Sequence, residues 1–239
     1  MIREPTDLLT RAIQPALWLL IFGQVFTRTR AIPTGDLSYL EFLAPGVLAQ
    51  SVLFSAIFYG IAVIWERDLG MVHKLLVSPA SRGSLVFGKA LAAGLRAILQ
   101  ATLIILLVLV LGVRIRLDPL SLAGVGVVVM LGGALFSTFS FAVACLVKTR
   151  ERFMGIGQVL TMPLFFASNA IYPIELMPPW LQTVARFNPL TYLVNALRAL
   201  MLPAAPAGAI SFSTDLLVLV LVFAGLLVVS ARLFPGIVR

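Results

Sequence analysis

From Phe42 to Trp65 the chain runs 24 residues without a charged side chain, and from Leu120 to Val147 it runs 28. A helix needs roughly 20 apolar residues to cross the hydrocarbon core of a bilayer, so either stretch is long enough. The whole chain shares this character. It has 239 residues, 60% of them hydrophobic and only 12% charged, and a mean hydropathy of +1.05. Soluble domains carry about a quarter charged residues. A chain this apolar has too few polar groups to cover its surface in water, so lipid must be its solvent. Backbone polar groups inside lipid must be satisfied internally, and without a barrel-like alternation the solution is helix. The expected fold class is an all-α membrane protein.

Charges mark the span boundaries. They predict six transmembrane helices at about 8–26, 42–65, 90–113, 120–147, 153–171 and 214–233, forming one transmembrane domain over 1–239. The first could be read as a signal peptide, but Phe26-Thr27-Arg28 is too bulky for a cleavage site. Placing both termini in the cytoplasm puts about twelve Lys and Arg inside and six outside, the arrangement the positive-inside rule favours. The net charge of +8 then reflects contact with anionic membrane lipids, and no nucleic acid partner is implied. The lone Cys145 cannot form an intrachain disulfide and reads as a small buried hydrophobe. The lone His73 excludes a His-cluster metal site.

Two connections carry more pattern than a plain loop. The segment 66–83 places Leu69, Val72, Leu75 and Leu76 at helical spacing and ends at Pro79, which describes a short amphipathic helix. The segment 172–209 alternates prolines with apolar pieces too short to span, and reads as re-entrant or interfacial helices. Gly83 to Lys89 matches G-x-x-x-x-G-K, but Ala90 stands where a P-loop needs the Ser or Thr that holds magnesium. The chain is therefore not expected to bind nucleotide.

The ordered set Phe42-Leu43-Ala44-Pro45-Gly46, Glu66 to Gly70, Leu75 to Arg82 and Gly88-Lys89 resembles type-2 ABC exporter permeases. So do the later Asn169 to Ile174, Met177 to Gln182, Asn188 to Tyr192, and Arg198. The likeness covers nearly the whole chain and is nearest to the branch of daunorubicin-resistance and nodulation lipo-oligosaccharide export permeases. His73 departs from it, because the family often has glutamate there. The N-terminal tail is also shorter than in many relatives, so the usual lead-in helix is expected to be truncated.

The resemblance implies a coupling helix between spans 2 and 3 that docks a separate nucleotide-binding ATPase subunit. Here that is 66–83, with Glu66, Arg67, Gly70, Leu75, Leu76, Pro79 and Arg82 as the coupling residues. It implies no cofactor in this chain, ATP and Mg being bound by the partner, and an assembly of two permease and two ATPase chains in a prokaryotic cell membrane. Two stripes become candidate pathway linings: Gln50, Phe54 and Phe58 at i, i+4, i+8, and Gln158, Met162, Phe165 and Asn169. Trp180, Asn188, Pro189, Tyr192 and Arg198 become the candidate outer cap, with Arg186 and Arg198 expected to reach lipid phosphates, anionic substrate groups or the interface. The expected function is export of an amphipathic or lipid-like substrate, with no enzyme activity in this chain. A membrane-embedded enzyme or a non-transporting assembly subunit is the alternative. The spans hold almost no ionisable groups, and Asp215 is expected near an outer end. That pattern disfavours ion-driven transport.

Overall fold

The structure is a computed structural model that describes residues 13–29, 32–34, 37–71, 81–147, 149–203 and 211–238. Among these residues every regular element is helical. We number the helices α1 (13–29, with a π-helical stretch Trp18–Gly23), α2 (Tyr39–Asp68), α3 (Arg82–Val110) and α4 (Pro119–Leu146). They continue as α5 (Arg150–Phe166), α6 (Pro179–Phe187), α7 (Pro189–Met201) and α8 (Phe212–Leu233). Short 3-10 turns occupy Ile174–Leu176 and Phe234–Val238.

Among the described residues four helical stretches are long and apolar enough to cross a membrane: α2, α3, α4, and α8 with its extension to Gly236. The other two expected spans are shorter. α1 and α5 each have 17 described residues, a length of about 26 Å. α5 begins on Arg150-Glu151-Arg152 and stops at Phe166, five residues before the expected end.

Local chemistry sets the starts. Ser38 and Glu41 form a reciprocal capping box: the Glu41 N–H donates to Ser38 Oγ at 3.2 Å and the Ser38 N–H to Glu41 Oε2 at 2.9 Å. Proline opens α4, α6 and α7, where its missing N–H has no helical partner to lose. Asp118 caps α4 by accepting from the Ser121 N–H at 2.9 Å, and that bond holds its carboxyl below the usual aspartate range. α3 begins earlier than expected, at Arg82, because its amphipathic approach continues without a break into the apolar core. Gly83 to Lys89 therefore lies in helix and leaves no phosphate-wrapping loop.

α4 is the hub, packed against α2, α3, α7 and α8. Small residues let these helices approach closely. A Cβ on Gly94 would press on the Met130 carbonyl, and one on Gly133 would meet the Ala97 Cβ at 2.7 Å. Hydroxyls bind across two further seams: Ser140 Oγ donates to the Ile57 carbonyl, and Ser230 Oγ to the Thr138 carbonyl at 3.1 Å. The most apolar window of α2 is 67% buried and that of α8 only 11%, so α2 is central and α8 presents its surface to the surroundings. Cys145 is a free thiol and half-buried, less enclosed than expected.

Candidate functional site

Glu66 and Arg67, two of the expected coupling residues, sit where helix ends are tied together. α2 closes on Glu66, Arg67 and Asp68. Glu66 forms an ion pair with Lys89 of α3. Arg67 donates from Nη1 to the Val147 carbonyl at the end of α4 (3.2 Å) and from Nη2 to Asp68 (3.0 Å). Asp68 in turn accepts from Arg150 Nη2 of α5 at 2.9 Å. The Arg150 guanidinium also lies 4.1 Å from the centre of the Trp65 ring. Gly70 follows at φ 70°, the left-handed turn that ends α2, with its N–H donating to the Arg67 carbonyl at 2.9 Å. Arg82 is exposed at the first turn of α3, after the Ser81 cap. Leu75, Leu76, Pro79 and His73 lie outside the described residues. The described side of the segment is thus a rigid base on which α2, α3, α4 and α5 converge.

The three residues of the first candidate stripe share one cavity. Gln50, Phe54 and Phe58 line one cavity of about 100 Å³, joined by Gln14 and Pro15 of α1 and Gln100 of α3. Phe58 is 52% exposed and Gln50 only 3%, so the stripe leads from surface to interior. Gln100 was missed in the sequence, although a lone glutamine in an apolar run was a visible signal.

The second stripe does not hold together. Gln158 and Met162 are exposed, whereas Phe165 is buried and packs edge-on against Trp18 at 5.6 Å. Asn169 is not on the helix at all, because α5 ends at Phe166 with Pro163 in its last turn. Its Nδ2 donates to Asn195 Oδ1 of α7 at 2.5 Å.

The outer segment divides into two kinds of helix. α6 buries only Ala185 and exposes Trp180, Val184 and Phe187 on one face. α7 instead inserts into the body and buries most of its length. Asn188, between them, caps two helices at once. Its Oδ1 accepts from the Leu190 N–H (3.0 Å), and its Nδ2 donates to the Leu164 and Ala167 carbonyls (2.7 and 2.9 Å) at the broken end of α5. Pro189 follows at the first turn of α7 and is half-buried. Tyr192 Oη donates to the Arg186 carbonyl at 2.6 Å, which ties α7 back to α6.

Arg198 points inward, away from any interface. It is 4% exposed, its Nη2 donates to the Asn169 carbonyl at 2.6 Å and the Phe42 carbonyl at 3.4 Å, and its guanidinium lies 3.7 Å from the Phe42 ring centre. Tyr39 Oη adds a bond to the Ile171 carbonyl at 3.1 Å. Side chains of α2 and α7 therefore satisfy the irregular backbone after α5, which is how non-helical chain is tolerated away from water. Asp215 is also fully buried, with Asn195 as a polar neighbour and neither carboxylate oxygen in a hydrogen bond of normal geometry. The interior therefore holds two ionisable groups where the sequence suggested almost none.

A model of the ABC-2 type transporter family matches residues 1–202. The chain is 31% identical over 201 residues to a putative transport permease, ycf38, of Cyanophora paradoxa, covering 83% of this chain and 69% of that one. It is 28% identical to the daunorubicin resistance ABC transporter permease protein DrrB1 of Streptomyces coeruleorubidus, covering 82% and 69%. It is 29% identical to nodulation protein J of Rhizobium leguminosarum bv. trifolii, covering 70% and 64%. With its long apolar helices and its tied base, the chain belongs to the ABC-2 type transporter family, as a multi-pass membrane permease subunit of an ABC transporter.

Proposed function

We propose that this chain is the membrane path of an ATP-driven exporter for an amphipathic or lipid-like substrate. Two copies, each crossing the membrane six times with both termini cytoplasmic, assemble with two ATPase chains in a prokaryotic cell membrane. ATP and Mg belong to the ATPase, and this chain supplies differential affinity for substrate between states. Similarity to permeases named for daunorubicin resistance and nodulation supports the export reading. α1 and α5, at 17 described residues each, fall at the lower limit of about 17 for a span.

The observation that carries the reading is the tied base. Force applied between α2 and α3 reaches Lys89 through Glu66, the end of α4 through Arg67, and α5 through Asp68 and Arg150. Several short polar links move helices as a body more readily than one. Leu75 and Leu76 supply the apolar docking face. Leu76→Glu buries a charge against the ATPase groove and should weaken docking by about 3 kcal/mol, or roughly a hundredfold. Pull-down of the ATPase and chain-dependent ATP turnover measure this. Undiminished docking and turnover would show that 66–83 is not the coupling segment.

A further inference from the structure

We infer that the cavity between α1, α2 and α3 is a binding site for a small uncharged head group that both donates and accepts hydrogen bonds, carried on an apolar tail. This rests on the permease reading and specifies the ligand class at its first pathway stripe.

The lining decides the chemistry. Gln50 is 97% buried (3% exposed), and its Oε1 has no hydrogen-bond partner. Buried acceptors of this kind are normally satisfied. Ser51 and Ser55 line the same cavity, and each has already spent its only donor. Ser51 Oγ donates to the Val47 carbonyl at 2.9 Å and Ser55 Oγ to the Val52 carbonyl at 3.0 Å. Both hydroxyls offer only lone pairs to the cavity. Three acceptors therefore face a ligand that must bring O–H or N–H groups, and the carboxamides of Gln14 and Gln100, which also line the cavity, add N–H donors to which that ligand can offer a lone pair.

Among the described residues no charged side chain lines the cavity. A phosphate or carboxylate would be buried there without a counter-charge, and a cation without an anion. A hydroxyl fits both conditions. The volume of about 100 Å³ admits a small head and excludes an oligosaccharide. The exposed ring of Phe58, at the mouth, gives the tail an apolar exit.

The test uses the full chain in phosphatidylcholine nanodiscs and a dodecylglycerol carrying a diazirine next to its head group. We expect saturable photolabelling of the α2 peptide that contains Phe54 and Phe58. Plain dodecylglycerol should compete at least about tenfold better than dodecyltrimethylammonium or dodecyl phosphate. Gln50→Leu should lower the labelling at least about fivefold and Ser55→Ala about threefold, both as monodisperse protein. Loss of the bound probe when ATPase and ATP are added would mark exported cargo. Retention would mark a resident membrane lipid, and in both cases the site stands. Non-saturable labelling spread over the lipid-facing surface, equal competition by the charged probes, or full labelling of Gln50→Leu would overturn the proposal. Chain-dependent ATP hydrolysis retained beside any of those results would leave the permease reading intact and remove only this ligand class.

Discussion

Gly46→Val is expected to leave little folded permease in the membrane. Gly46 lies on α2 where that helix meets the irregular backbone after α5. A Cβ built there runs into the Ala170 carbonyl oxygen and comes within 2.9 Å of the Ala170 carbonyl carbon and Cα. These are backbone atoms, so no rotamer change can make room. Ala170 is also fixed by its neighbours, since Asn169 is held through its carbonyl by Arg198 and Ile171 through its carbonyl by Tyr39. Moving Ala170 aside would break both bonds. Overpacking ordinarily costs 1–3 kcal/mol, and with backbone as the obstacle we expect more than about 3 kcal/mol for valine. That is a large part of a total near 5–15 kcal/mol. Yield of monodisperse protein and its melting temperature measure this, with Gly46→Ala expected between wild type and valine. A valine variant that melts within a degree or two of wild type would contradict the packing described.

Arg198→Met should be the next most damaging change, although it removes a buried charge. Two terms oppose each other. Relief of guanidinium desolvation favours methionine. Against it, the Asn169 and Phe42 carbonyls lose a charged donor and stay buried, and the contact with the Phe42 ring is lost. Hydrogen bonds to charged groups contribute about 1.5–3 kcal/mol each, and the Asn169 carbonyl, which lies outside any helix, adds the cost of losing its donor. The second term therefore wins, and we expect a net loss of about 3 kcal/mol. The damage should concentrate at 167–172. Cysteines placed there should label faster in Arg198→Met, and more slowly in Arg198→Lys, which keeps the charge but loses the fork. Unchanged labelling and melting would show that Arg198 does not hold this backbone.

Much of the helical frame was readable because a charge-free apolar run has few alternatives in lipid. Expected spans 42–65 and 120–147 became Tyr39–Asp68 and Pro119–Leu146, with the ends set by Ser38 and Asp118 as caps. The third helix starts eight residues before the expected 90, and Lys89 within that added stretch is paired with Glu66 inside the fold. The interior polar groups were harder to place. Arg198 is held by carbonyls that become acceptors only after α5 breaks at Phe166, and helical periodicity alone carried Asn169 onto the wrong face. Pro163 and the run Ser168-Asn169 were the available signs of that break. On α2 periodicity sufficed, because the helix runs unbroken past Gln50, Phe54 and Phe58, so those three share a cavity.

The division of labour at the centre of this account is tested most directly by expressing the permease with a candidate ATPase and measuring ATP hydrolysis in nanodiscs. The account predicts that the ATPase co-purifies with this chain and that its turnover depends on the chain and responds to added amphiphile. Hydrolysis of equal rate without the chain, or a chain that binds no ATPase, would contradict it.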